Sequence, residues 1–265
     1  MLSPADVASY RQNGYLTIPD LLNQTEVQAL QDELARLLAE GLLRNVARAG
    51  DGVTPTTMAN LQICPIGPHS RLVRSLPFDE RIVAITTAIL GDAVRQRLDQ
   101  IFLKPAHHGM GTGWHQDNNY FREAQGDDNF RGLGIWIAIH EATAANGTMR
   151  IVPHRQGEVL EHVRDGNSNH HRTCAAEIDE SQAITIEVPA GGALVFSYGV
   201  PHCTGANTTD HDRAGLALHF QDASLSFEAK ALTPIISGPG ANGGVDEYGE
   251  DLRGVWQELT APASV

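Results

Sequence analysis

Apolar positions divide this chain into two periods. Before about residue 92 they recur at steps of three and four, which lays a single apolar stripe along a helix. Ser3 followed by Pro4 has the form of an N-cap with proline in the first turn, and Gly14 offers a stop, so a short opening helix is expected there. Thr25 and Gln28 make a T-x-x-Q capping box, and Val27, Leu30, Leu34 and Leu37 form a stripe that runs up to Gly41. A third helix is expected to begin near Asp79, to carry Ile82, Ile85 and Ile89 on one face and to stop at Gly91. After about residue 93 the period shortens to two. "AVRQRLDQIFLK", "GLGIWIAIHEA", "GTMRIVP", "AITIEV", "GALVFSYG" and "AGLALHFQ" read as strands parted by turns such as Ala145-Asn146-Gly147. In "GLGIWIAIHEA" the alternation places Leu133, Ile135, Ile137 and Ile139 on one face and Trp136 on the other.

Helices early and strands late predict an α+β chain, mainly β, in which N-terminal helices buttress a β-sandwich or barrel. The expected organisation is one domain over 1–265, with a helical part to about 92, a β core over about 93–222 and an irregular tail over 223–265. No internal repeat or low-complexity linker interrupts it. The polar stretches 122–131 and 155–183 are too long for hairpin turns, and loops of that length commonly carry function, so the second is a candidate substrate lid.

Composition narrows the partners. The chain has 265 residues, 42% of them hydrophobic and 19% charged, which fits a globular protein with a packed core. Its formal net charge of -13, from 19 Lys and Arg against 32 Asp and Glu, leaves no excess of cations for nucleic-acid phosphates or anionic membrane surfaces. An anionic ligand must then be held by individual basic residues. The N-terminus lacks a basic region leading into an apolar run, and no apolar run is of spanning length. Three cysteines without metal-type spacing read as free thiols, and the expected setting is cytoplasmic.

The chemistry centres on "GWHQDNNYF" at 113–121, where His115 and Asp117 stand two apart. In extended chain both side chains leave the same face and could grip one ion, although with 12 His in the chain roughly one such triplet is expected by chance. A facial site needs one more ligand, typically a histidine from a distant strand, and His202 follows a strong β run. Arg213 opens the next run, and an antiparallel return would bring it near His202, where its fork suits a carboxylate. Two histidines and one carboxylate leave half of an octahedral ion's positions open.

These residues sit in a wider pattern: "YRQNGYLTIPDLL", "LKP" at 103–105, "WHQD" at 114–117, "ANGTMRIVPHRQG" at 145–157 and "GGALVFSYGVPHCTGANTTDHDRAGLALHF" at 191–220. Over roughly residues 5 to 220 the chain resembles the phytanoyl-CoA dioxygenase family of Fe(II)/2-oxoglutarate-dependent oxygenases. The resemblance implies a double-stranded β-helix, a cupin-like jelly roll, with His115, Asp117 and His202 as catalytic ligands of Fe(II). It also implies Arg213 and Thr204 on the distal carboxylate of 2-oxoglutarate, Trp136 lining the same pocket, dioxygen as oxidant and hydroxylation of an unactivated C–H bond. The family's eleven-residue step from the second histidine to the arginine is kept here between His202 and Arg213. Intact Asp117 argues against the related halogenases, which carry a small residue at that position. One departure is "VPHRQG" where the family usually has a "PGSH" turn, which puts His154 directly after Pro153 and should reshape the rim.

The expected substrate is a small metabolite, such as an amino-acid derivative or secondary-metabolite intermediate, since no Lys/Arg cluster suits the phosphates of coenzyme A. Asn118, Asn119, Tyr120 and Phe121, which follow the ligand pair, and His154 are the candidate substrate contacts. His162, His170 and His171 lie in the polar stretch, and His211 and His219 have no evident partner. Two other readings of the same residues are a metal-dependent cupin-type hydrolase or isomerase, which would have no use for Arg213, and a catalytically silent binding barrel. Oligomeric state is not encoded in any pattern here.

Overall fold

The computed structural model describes residues 2–48, 53, 55–122, 130–168, 171–226 and 233–262. In chain order, α1 (Pro4–Asn13), β1 (Tyr15–Ile18), α2 (Gln24–Ala39), β2 (Arg44–Asn45), β3 (Leu61–Ile63), α3 (Arg71–Ser75) and α4 (Glu80–Leu90) come first. Then follow β4 (Val94–Lys104), β5 (Thr112–His115), β6 (Gly132–Ala138), β7 (Met149–Ile151), β8 (His162–Arg164), β9 (Arg172–Cys174) and β10 (Ile184–Ile186). Next are β11 (Ala193–Ser197), β12 (His202–Thr204), β13 (Arg213–Asp222), β14 (Ile235–Ser237) and α5 (Val255–Thr260).

The three expected helices form, with one cap displaced. Ser3 caps α1 and Gly14 ends it at φ 82°, a left-handed conformation that glycine adopts without strain. Asp79 caps α4 through the Arg81 amide, and Gly91 stops it. The box at the start of α2, however, is Asn23 with Glu26, not Thr25 with Gln28. The Asn23 side chain accepts from the amides of Thr25 and Glu26, and the Glu26 carboxylate accepts from the Asn23 amide. Glu26 is further held by Arg81 and by the Trp256 indole, which ties α2 to α4 and α5. Val27, Leu30, Leu34 and Leu37 are buried as the stripe requires. Truncating one such leucine typically costs about 2–5 kcal/mol.

Eight strands make the large sheet in the order β1-β11-β6-β13-β4-β3-β2, with β14 added on β4. Four make the small sheet, β10-β7-β12-β5, and β8 with β9 form a hairpin. The sheets are antiparallel throughout and face each other as a jelly roll. Alternation gives the large sheet two apolar faces. Leu133, Ile135 and Ile137 on β6, with Leu216, Leu218 and Phe220 on β13, pack under the helices in the main core. Trp136 and Ala217, from the opposite face, join Met149 and Ile151 of the small sheet between the layers.

The first 92 residues are not purely helical. β1 extends the large sheet beside β11, and β3 does so beside β4. The tail also departs from the irregular reading: β14 pairs with β4, and α5 buries Val255 and Trp256. Within 155–183 the chain builds the β8–β9 hairpin; most of 122–131 lies outside the described residues, as does His170. No helix among the described residues is long and apolar enough to cross a membrane. Cys64, Cys174 and Cys203 are not bonded to one another.

Candidate active site

His115 ends β5 and faces His202, the first residue of β12, directly across the ladder, with ring centroids 4.0 Å apart. Gln116 continues in extended conformation, φ -123° and ψ 139°, so Asp117 repeats the direction of His115 before a 3-10 turn begins. Gln116 itself turns the other way and binds the Glu158 and Gly199 carbonyls. The carboxylate Oδ1 of Asp117 then lies 3.8 Å from His115 Nε2 and 3.9 Å from His202 Nε2. One ligand atom from each of the three lies within 4.8 Å of the others, and all three residues are buried.

The histidine tautomers follow from the backbone. His115 Nδ1 lies 2.9 Å from the Gly113 carbonyl and His202 Nδ1 lies 3.0 Å from the Val200 carbonyl. A carbonyl only accepts, so each Nδ1 carries the proton and each Nε2 turns its lone pair inward. Burial pulls His202 down to about 4 and, with its histidine neighbours, holds His115 well below the ordinary range. Burial pushes Asp117 up. A dication bound among them would favour the opposite state of Asp117, ionised, while keeping both imidazoles neutral.

A cavity of about 420 Å³ opens from this cluster between the sheets. At one end lie Arg213 and Lys104, cross-strand partners on β13 and β4. Both are almost wholly buried, and Asp117 is the sole acid among the described lining residues. Burial lowers Arg213 to about 10, which keeps it charged near neutrality, and burial with the Arg213 charge lowers Lys104 well below its ordinary value. One Arg213 Nη donates to the Gly147 carbonyl, whereas its buried Nε has no hydrogen-bond partner among the described residues. The Lys104 ammonium is occupied by the Met110 and Gly205 carbonyls and by Thr204 Oγ1 at 2.9 Å. Thr204 Oγ1 also accepts from the Thr112 amide at 3.2 Å, which leaves its hydroxyl hydrogen free to donate. Trp136 lies beside this end, its ring 5.5 Å from the Arg213 guanidinium carbon.

The other half of the cavity is lined by Gln62, Cys64, Leu98, Gln100, Tyr120, Phe121, His171 and His219. Two of the expected substrate contacts, Tyr120 and Phe121, are among them. Asn118 and Asn119 are not: Asn118 is 1% exposed, with its amide on the Tyr198 carbonyl. His154 is also displaced from the cavity. It takes a left-handed φ of 65° where the family's turn has glycine, and Nδ1 rests 3.1 Å from the Gln12 carbonyl at the end of α1. Docking on α1, rather than lining the rim, is what this departure from the "PGSH" turn does.

A model of the family described as phytanoyl-CoA dioxygenase matches residues 10–215. The ectoine dioxygenase of Streptomyces avermitilis is 30% identical over 247 residues, covering 88% of this chain and 82% of that protein. The chain belongs to the phytanoyl-CoA dioxygenase family. A second relative of this dioxygenase, the ectoine dioxygenase of Halomonas elongata, is 27% identical over 80% of this chain and 68% of that one. The fold matches EctD from S. alaskensis, solved with 2-oxoglutarate and 5-hydroxyectoine, at a TM-score of 0.68 and 20% identity, covering 95% and 86% of the two chains. It also matches the non-heme alpha ketoglutarate dependent carbocyclase SnoK from nogalamycin biosynthesis, at a TM-score of 0.65 and 21% identity over 92% and 89%. The protein is an Fe(II)/2-oxoglutarate-dependent oxygenase.

The residues of this family member fit that pair of groups. Two inward Nε2 atoms and one carboxylate oxygen suit Fe(II), and the unpartnered Arg213 Nε beside buried Lys104 calls for an anion. Lys104, His219 and His171 are among the cavity residues to which the sequence assigned no role. Lys104 was visible only within "LKP", His219 had no evident partner, and His171 was placed in a polar stretch. His171 stacks edge-on against His115 with centroids 4.2 Å apart and is fastened by the Tyr120 hydroxyl at 2.9 Å. For His219 a signal was available: period-two counting forward from Arg213 through Gly215 and Ala217 puts all four on one face of β13.

Proposed function

We propose that this dioxygenase hydroxylates an unactivated C–H bond of a small, compact metabolite, an amino-acid derivative or secondary-metabolite intermediate. The roles assigned to single residues are part of the proposal. His115 and His202 offer Nε2, and Asp117 offers Oδ1, to Fe(II). Fe(II) with 2-oxoglutarate and dioxygen, when bound, supplies the C–H oxidation, with release of succinate and carbon dioxide. Arg213 donates Nε–H to the distal carboxylate of 2-oxoglutarate, and the Thr204 hydroxyl donates alongside it. Lys104, its three donors already used, acts through its charge and by aiming Thr204. Trp136 and Phe196 close this end against water.

The observation that carries the co-substrate reading is the buried Arg213 Nε without a partner among the described residues, at an end of the cavity that holds two cations and no acid. The substrate half bears no Lys or Arg among its described lining residues, which supports a substrate without a phosphate there. It also speaks against seating the phosphates of coenzyme A within the cavity. The ectoine dioxygenases among the relatives are consistent with a compact metabolite, and ectoine is the first compound to assay.

The test is an anaerobic titration with Fe(II) and then 2-oxoglutarate. The expected result is the visible charge-transfer band of a chelated keto acid in wild type and its loss in Asp117→Ala. Fe(II) binding without that band would move the reading to the metal-dependent cupin class.

A further inference from the structure

We propose that His219 is a positioning residue for Asp117, its Nδ1–H holding the carboxylate oxygen that does not face the metal, with Gln100 and Gln62 fixing the histidine's tautomer. This inference rests on the reading of His115, Asp117 and His202 as metal ligands. Asp117 divides its two oxygens. Oδ1 lies 3.8 and 3.9 Å from the two Nε2 atoms, while Oδ2 lies 3.7 Å from His219 Nδ1. Both Oδ2 and His219 Nδ1 are buried and have no hydrogen-bond partner among the described residues. A buried donor and a buried acceptor that face each other are costly apart, and a small carboxylate rotation brings them to charge-assisted bonding distance, about 2.8 Å.

The direction of the chain follows from its end. A carboxylate can only accept, so His219 must present Nδ1–H to it and carry a lone pair on Nε2. That nitrogen lies 3.4 Å from the Gln100 amide nitrogen, which is then the donor, and the Gln100 oxygen accepts from the Gln62 amide nitrogen at 2.9 Å. Every link points toward Asp117. With Oδ2 engaged, Asp117 gives the metal a single oxygen, and the remaining positions stay open for the two donor atoms of 2-oxoglutarate and for dioxygen. Gln62, Gln100 and His219 all line the substrate half of the cavity, so the metal-binding carboxylate is braced from the side on which substrate enters.

The competing role is packing, since the His219 ring lies 5.3 Å from Phe121 and 5.7 Å from Tyr198. Three substitutions separate the two. His219→Phe keeps the ring and loses both nitrogens, His219→Gln keeps a polar group toward Gln100 only, and His219→Asn keeps a donor near Nδ1. The measurement is anaerobic Co(II) titration followed by visible absorption, with Tm of the metal-free proteins as the control for folding. The expected result is Co(II) binding weakened about 10- to 100-fold, with an altered ligand-field spectrum, in His219→Phe and His219→Gln. His219→Asn should stay within about threefold of wild type. Wild-type affinity and spectrum in His219→Phe would overturn the proposal, as would His219→Asn falling as far as His219→Phe. If His219→Phe does not fold, His219→Gln decides alone by the same criterion. Undiminished Co(II) binding by Asp117→Ala would remove the ligand reading and this inference with it, whereas loss there with no change in His219→Phe removes the inference only.

Discussion

The two sheets that enclose the cavity do different work. The small sheet is built from strands of three or four residues and carries the two candidate histidine ligands on two neighbours, β5 and β12, within one cross-strand pair. The large sheet has strands of 10 and 11 residues at its centre, β13 and β4, and spreads its polar groups along them, from the Arg213/Lys104 pair to His219. A metal ion is gripped by atoms within a few ångströms of one another, so a short local motif suffices. An elongated dicarboxylate needs a positive end held at a set distance from that ion, and a long strand rising about 3.3 Å per residue supplies the ruler. Short strands concentrate ligands; long strands separate them.

The strongest way to break this division is Asp117→Ala. Fe(II) affinity should fall at least about 100-fold, and turnover should vanish, because the sole acid among the described cavity residues is gone. Retained iron after mild chelation would count against the small sheet as the gripping side. Arg213→Ala should raise the 2-oxoglutarate KM about thirtyfold or more, while the Fe(II) titration stays near wild type, since the groups lie in opposite sheets. A loss of iron binding in that variant would show that the division is false.

Acid provides a third test, on the metal-free protein. His202 titrates at about 4 when folded, against about 6.5 unfolded, so between those values the unfolded chain binds more protons. Stability is then full above pH 6.5 and falls toward pH 4, by roughly 3 kcal/mol from His202 alone, with His115 and His219 shifted in the same direction. Asp117, raised by burial, opposes the trend. A Tm that stays level from pH 7 to 5 would mean that these imidazoles are not buried in neutral form.

Gly215→Ala sharpens the comparison on the large sheet. A Cβ there would stand 2.2 Å from the Trp136 ring, so the indole must shift from its place beside Arg213. Destabilisation of about 1–3 kcal/mol is expected, together with a higher 2-oxoglutarate KM and unchanged iron binding. The smallest effect belongs to Tyr120→Phe, which releases His171 and the Arg172 amide and should cost about 1 kcal/mol. Faster amide exchange over the β8–β9 hairpin is the measurement, and unchanged exchange would mean that the phenol does not fasten it.

How much of this was legible in the chain depends on the range of the interaction. His115 and Asp117 could be paired because two residues of extended backbone decide their common direction, and Gln116 is extended. The stripe on α2 and the two faces of β6 were visible for the same local reason. His202 and Arg213 were candidates from the β runs they follow and open, and likeness to a family then implied their roles. The antiparallel return expected between them does not form, since β12 and β13 lie in opposite sheets and both residues face the space between. Lys104 depends on register across β4 and β13, which no stretch of sequence displays, whereas period two along β13 alone puts His219 on the face of Arg213. β1 and β3 are too short, at four and three residues, to show a period of two. His154 was a candidate contact at the departure from the family's turn, and its backbone conformation and the nearby end of α1, neither displayed by the sequence, decide where it points.

The acceptors that orient the His115 and His202 imidazoles are the main-chain carbonyls of Gly113 and Val200, each two residues before its histidine. His162, which receives the Gln116 amide behind the site, is held in the same way by the Leu160 carbonyl. A peptide carbonyl survives nearly every codon change. The bond that sets each ring is therefore independent of side-chain identity at 113 and 200. Packing still confines both positions, with Thr173 Oγ1 2.8 Å from where a Gly113 Cβ would stand and Val200 buried. The group facing the second oxygen of Asp117, by contrast, is a side chain, His219. Mutational fragility in the metal site is thus unevenly inherited, and it gathers on the carboxylate.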